Sequence, residues 1–142
     1  MAGFVVILMG SKADMEHARS IADALDKLGV EAVMRIGSAH KTPEHVLAML
    51  QHYEADTRPK VYITIAGRSN ALSAFVDGQV SAPVIACPPY SDKFAGGDLL
   101  SSLRAPSGVA PAGGWGAAGV SAESGAEVLA GAEARGQGDL SN

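Results

Sequence analysis

A histidine and a lysine stand side by side in Gly37-Ser38-Ala39-His40-Lys41-Thr42-Pro43-Glu44, behind a short apolar run and ahead of a helical pattern. Thr42 suits an N-cap, and Pro43 suits the first helical position, where its missing N–H costs nothing. His40 and Lys41 therefore fall just before a helix N-terminus, where backbone N–H groups and the helix dipole favour an anion. Histidine is the side chain that exchanges protons near neutral pH. A proton-transfer group beside an anion-holding corner is the arrangement of an enzyme site.

Two further loops carry similar potential. Phe4-Val5-Val6-Ile7-Leu8-Met9 runs into Gly10-Ser11-Lys12-Ala13-Asp14 and then a helix. Ser11 with Asp14 three residues on resembles a capping box, and a strand, a Gly-Ser turn and a helix N-terminus together can hold a phosphate. The loop Ala66-Gly67-Arg68-Ser69-Asn70-Ala71-Leu72 offers a guanidinium, a hydroxyl and an amide, which suit a carboxylate or a carbonyl-like oxygen. A capping Ser11, and a surface arginine beside helix-capping Ser69 and Asn70, would be the purely structural alternatives.

These loops must be placed by the elements around them. Ala18, Ile21, Ala22, Leu25 and Leu28 recur at helical spacing up to Gly29. Residues 30–36 alternate like a strand, and Pro43 to about Tyr53 reads as a helix with Val46, Leu47 and Leu50 on one face. Val61 to Ala66 is a third, β-rich run, and Ala71 to about Val76 a short helix. Pro83 to Cys87 makes a fourth strand, and Asp98 to Leu103 another short helix. Alternating strands and helices predict an α/β fold, a three-layer αβα sandwich around a central parallel sheet. In such sheets ligands bind outside the carboxyl ends of the strands. The loops at 10–14, 37–41 and 67–70 all follow strands and belong to that edge.

Composition narrows the function further. The chain has 142 residues, 47% hydrophobic, and fits one domain with an ordinary core. No run approaches the ~18 apolar residues of a membrane span, and the N-terminus enters a strand with no basic leader. A single cysteine excludes an internal disulfide framework and suits a reducing cytoplasm. Cys87 reads as a small apolar residue closing its strand. His17, His45 and His52 are dispersed on helices, so no metal-ligand cluster is expected. A net charge of −4 without a Lys/Arg cluster argues against nucleic acid. From Gly113 to Asn142 there are 8 glycines, against 9 in the preceding 112 residues, and large apolar residues are few. That stretch predicts a poorly packed tail, with at most a weak helix over residues 122–135.

Together the segments resemble the PurE family of purine biosynthesis. The resemblance rests on Met9-Gly10-Ser11-Lys12-Ala13-Asp14, Ser38-Ala39-His40-Lys41-Thr42-Pro43, Ala66-Gly67-Arg68-Ser69-Asn70 and Ser101-Ser102-Leu103-Arg104-Ala105-Pro106-Ser107-Gly108. It covers roughly residues 4–112, read as a flavodoxin-like domain over 1–112 followed by an atypical tail over 113–142. Lys41 after the histidine, the Gly-Arg-Ser-Asn loop and the following Cys-Pro-Pro resemble the second class of the family. That class is 5-aminoimidazole ribonucleotide (AIR) carboxylase, which uses carbon dioxide directly.

The resemblance implies His40 as the group that moves the C4 proton. It implies Gly10, Ser11, Ser38, Ala39 and Lys41 around the 5′-phosphate, and Asp14 on the ribose hydroxyls. Gly67, Arg68, Ser69 and Asn70 would line the pocket for carbon dioxide and the new carboxylate. No cofactor and no metal are implied, because C4 of AIR is enamine-like. The expected setting is cytoplasmic, as a homotetramer or homo-octamer, with a nucleotide and carbon dioxide as the only partners. Two departures stand out. Ala13 replaces a serine usual in the family, and the tail lacks the family's apolar strand-like run and Leu/Ala-rich helix, as replaced sequence would. The alternatives are the sister N5-carboxyaminoimidazole ribonucleotide mutase, and a non-catalytic module that binds a nucleotide phosphate.

Overall fold

The computed structural model describes residues 2–95, 97–104 and 109–111, with isolated positions 126, 127 and 130. Within it β1 (Phe4–Met9), α1 (Met15–Lys27), β2 (Glu31–Ile36), α2 (Pro43–Glu54), β3 (Lys60–Ile65), α3 (Ala71–Asp77), β4 (Val84–Ala86), α4 (Gly97–Leu103) and β5 (Val109–Pro111) follow in order. Short 3-10 turns at Lys12–Asp14 and Asp92–Phe94 complete the set. The strands form one parallel sheet in the order β2-β1-β3-β4-β5.

β1 is apolar throughout, and β3 nearly so after Lys60, with Thr64 its one buried hydroxyl-bearing aliphatic residue, because both faces of each strand are covered. Val5, Ile7 and Met9 of β1 pack with Val61, Ile63 and Ile65 of β3 under α1, which buries Ala18, Ile21 and Leu25. Phe4, Val6 and Leu8 face the other way, onto Val46, Leu50 and Tyr53 of α2 and Leu72 and Val76 of α3. The period-two alternation along β1 thus feeds two cores, one per sheet face.

Four details differ from expectation. Leu28 is 50% exposed, because α1 ends at Lys27 and the chain turns before Leu28 can reach the sheet. On α2 the buried stripe is Val46, Leu50 and Tyr53, with Leu47 only half-buried beside it. A fifth strand, β5, pairs with β4; its three residues end in proline and give too short a pattern to read. His17, expected only as one of the histidines dispersed on helices, is half-buried and makes a long-range contact: its Nε2–H meets the Cys87 carbonyl at 3.2 Å and lies 3.4 Å from Cys87 Sγ. Cys87 itself is fully buried, as expected. The Ala105-Pro106-Ser107-Gly108 segment and the tail expected over 113–142 lie outside the described residues, except that 126, 127 and 130 are helical. No helix of the described residues is long and apolar enough to cross a membrane.

Candidate active site

The carboxyl ends of β1, β2 and β3 are level: Met9 stands opposite Ile36 on one side and Ile65 on the other. The ladder runs one residue past the strands. Gly10 N–H donates to the Ile65 carbonyl at 3.0 Å, Gly37 N–H to that of Met9 at 2.9 Å, and Cys87 N–H to that of Thr64 at 2.8 Å. Four loops therefore leave the sheet from fixed points, at the place where strand order reverses between β1 and β3.

They enclose a cleft of about 510 Å³. The first loop contributes Gly10, Ser11, Ala13 and Asp14, the second Ser38, Ala39, His40 and Lys41, and the third Ala66, Gly67 and Arg68. Nine of the eleven expected site residues are thus brought together. Pro89, Ser91, Lys93 and Asp98, from segments beyond β4, also line the cleft and were not expected there. Their sequence neighbourhood carries no recognisable spacing; only the return of the chain over the sheet edge brings them in.

In the first loop, Ser11 Oγ accepts from Ala13 N–H at 3.2 Å, capping the 3-10 turn. Asp14 is half-buried, and burial raises its carboxyl above its ordinary value against a backbone hydrogen bond from Ser11 and the charge of His17. The Ser11 hydroxyl thus reaches Ala13 N–H, one residue short of the Asp14 N–H that a capping box would use, while Asp14 N–H donates to the Ser11 carbonyl. In the second loop, Ser38 Oγ accepts from Lys41 N–H at 3.2 Å. Both serine oxygens thus accept from the backbone, which leaves each O–H free to turn toward an anion. His40 and Lys41 are exposed on the cleft wall ahead of α2.

Thr42 stands at the N-cap position of α2 but does not cap it with its side chain. Its hydroxyl turns back instead, accepting from Ser38 N–H at 3.1 Å and donating to the Ser38 carbonyl at 3.3 Å. The N-terminal N–H groups of α2 are left without a side-chain cap, as an anion site requires. Gly37 is required by packing: a Cβ there would lie 2.7 Å from both Val46 Cγ2 and Met49 Cε of α2.

Ser69 and Asn70, expected in the pocket, are not part of its lining. Arg68 and Asn70 both adopt positive φ, 59° and 43°, and this winding sends their side chains different ways. Arg68 is exposed at the cleft. Asn70 is buried: its Oδ1 accepts from Ser73 N–H at 3.3 Å and Ser73 Oγ at 2.7 Å, and its Nδ2 donates to Ser102 Oγ at 2.7 Å. Because Ser73 gives its hydrogen to Asn70, Thr64 Oγ1 is the donor in the 2.6 Å bond to Ser73 Oγ. Asn70 thus ties α3, α4 and β3 together behind the loop that presents Arg68.

Comparison with known proteins places this geometry. The family model described as AIR carboxylase matches residues 4–141. Phosphoribosylaminoimidazole carboxylase of Treponema denticola is 64% identical over 112 residues, covering 79% of this chain and 70% of that protein. The protein of the same name from Archaeoglobus fulgidus is 59% identical over 106 residues, 75% of this chain and 58% of that one. The chain thus spans little more than half the length of the Archaeoglobus relative. A solved point variant of Treponema denticola PurE2 superposes with a TM-score of 0.80 at 49% identity, covering 99% of this chain and 94% of that one.

Proposed function

The chain belongs to the AIR carboxylase family, and from that premise we propose that it carboxylates 5-aminoimidazole ribonucleotide with carbon dioxide to 4-carboxy-5-aminoimidazole ribonucleotide, reversibly, in purine biosynthesis. One observation carries the reading: His40 shares a single cleft with two serine hydroxyls, the open N-terminus of α2 and the Lys41 and Arg68 cations. That cleft offers separate anchors for a phosphate and a carboxylate, with a proton carrier between the loops that supply them.

The amine of the substrate feeds electrons into its ring, so C4 attacks carbon dioxide as an enamine carbon would. The new C4 is tetrahedral and carries both a hydrogen and a carboxylate. His40 removes that proton to restore the aromatic ring, and returns it in the reverse direction. Ser11, Ser38 and Lys41, with the backbone at Gly10 and Ala39, hold the 5′-phosphate, and Asp14 accepts from the ribose hydroxyls. Arg68, over Gly67, meets the incoming carboxylate. Asn70 serves from behind by fixing the Arg68 loop, and Ser69 remains at its exposed rim. The reaction drawn this way uses no cofactor and no metal.

The remaining features extend the proposal. Leu100 and Leu103 are each 57% exposed on α4, as is Tyr90 before it, and these apolar side chains support contact between subunits of a homotetramer or homo-octamer. The domain is taken as residues 1–112 with a distinct tail over 113–142. Cys87, buried and the single cysteine of the sequence, fits a reducing, cytoplasmic setting. The deciding experiment measures 4-carboxy-5-aminoimidazole ribonucleotide formed from AIR plus bicarbonate, with the N5-carboxy isomer run in parallel. Product from AIR supports the carboxylase; product from the isomer alone would assign the sister mutase reaction.

A further inference from the structure

Asp98 lies in the cleft wall and is 5% exposed, yet among the described residues it has no hydrogen-bond partner. It does not answer the nearby cations. The ion pairs among the described residues are Arg58 with Glu31 and Arg58 with Asp56, both away from the cleft. The third loop is fitted around this carboxylate: a Cβ at Gly67 would fall 2.8 Å from Asp98 Oδ2, too close for a carbon. A buried carboxylate facing a polar cleft without a donor calls for one from the ligand.

The ligand's own groups select which donor. On the proposed reading, the phosphate and the carboxylate are anions and belong with Ser11, Ser38, Lys41 and Arg68. The ribose hydroxyls belong with Asp14. The donor left over is the exocyclic amine at C5 of the ring. We infer that Asp98 accepts a hydrogen bond from the 5-amino group of the aminoimidazole and makes the site selective for the aminated ring; this rests on the carboxylase reading. The contact also has a chemical consequence. An acceptor on the amine N–H favours donation of the nitrogen lone pair into the ring, which raises electron density at C4, the carbon that attacks.

The test uses the full chain and two ribonucleotides, AIR and the same molecule without its 5-amino group, titrated calorimetrically into wild type, Asp98→Ala and Asp98→Asn. Wild type is expected to favour AIR by roughly ten- to a hundredfold, as a hydrogen bond to a charged group would give. Asp98→Ala should bind the two alike, through loss of AIR affinity alone, and Asp98→Asn should fall between. If Asp98→Ala does not fold, as judged by circular dichroism, the wild-type preference and Asp98→Asn decide. Equal affinity of wild type for the two nucleotides overturns the assignment while leaving the carboxylase reading standing. Equal weakening of both by the variants likewise reduces Asp98 to a structural role and overturns it. Wild type that binds neither nucleotide overturns both.

Discussion

Ser38 and Thr42 are joined three times over: Thr42 N–H donates to the Ser38 carbonyl at 2.9 Å, and the Thr42 hydroxyl both accepts from Ser38 N–H at 3.1 Å and donates to the same carbonyl at 3.3 Å. The turn so closed is the one that carries His40 and Lys41. Thr42→Val keeps the shape of the side chain and removes the two hydroxyl bonds. We expect a loss of about 1 kcal/mol in unfolding free energy. A larger effect is expected on kcat/KM, roughly tenfold, because a loosened turn misplaces the proton carrier. Urea denaturation and steady-state kinetics on one preparation separate the two.

His40→Asn tests the chemistry with little disturbance of the fold, since His40 is exposed. Turnover should fall by roughly two to four orders of magnitude, as loss of a positioned acid–base group does. Affinity for the nucleotide should stay within a few-fold of wild type, a shift of under ~1 kcal/mol. Undiminished turnover would transfer the proton step to another group and remove His40 from the chemistry.

Asn70 and Ser69 are neighbours with opposite expectations. Asn70→Ala strips the cap from α3, orphans the buried Ser73 and Ser102 hydroxyls, and places alanine at φ 43°. The loss should be about 2–3 kcal/mol, read from the shift in urea midpoint. Ser69→Ala, at an exposed position, should change stability by less than about 0.5 kcal/mol.

That contrast shows where sequence reasoning stops. The sheet was legible because β1 is an unbroken apolar run and β3 a run rich in β-branched residues, and α1 because its buried residues keep a 3.6 period. The three loops could be assigned to one edge from strand direction alone. Nothing local separates Arg68, Ser69 and Asn70, three polar residues in a row. Their roles depend on two left-handed backbone positions and on Ser73 and Ser102 waiting behind. Asp98 and the His17 contact with Cys87 were hidden for a related reason, since each joins segments that only the folded sheet brings together.

Ala13 lines the cleft on an exposed turn where related sequences are expected to carry serine. Its N–H is engaged by Ser11 Oγ, so the backbone there is already held in place. Ala13→Ser would add a hydroxyl without reshaping the loop. Nucleotide affinity should tighten by roughly three- to tenfold, the value of one added hydrogen bond. Titration of the variant with AIR and with inorganic phosphate checks whether the gain lies at the phosphate end, where it should appear with both ligands.

Asp14 carries the pH dependence of the first loop. Burial lifts its carboxyl above its ordinary value, despite the opposing Ser11 hydrogen bond and the His17 charge. The folded protein therefore takes up this proton more readily than the unfolded chain does. A raised carboxyl costs stability wherever it is ionised, and the cost is relieved as pH falls through the folded value. Asp14→Asn removes the buried charge and should raise the unfolding free energy at pH 7. The advantage should shrink at acid pH, where wild type becomes protonated as well. The same substitution should weaken nucleotide binding, because an amide is a poorer acceptor for two ribose hydroxyls than a carboxylate. Denaturation curves at neutral and acid pH, set beside nucleotide titrations at pH 7, measure both. A variant less stable at pH 7 than wild type would mean that the Ser11 hydrogen bond outweighs the burial, and that Asp14 holds the loop rather than straining it.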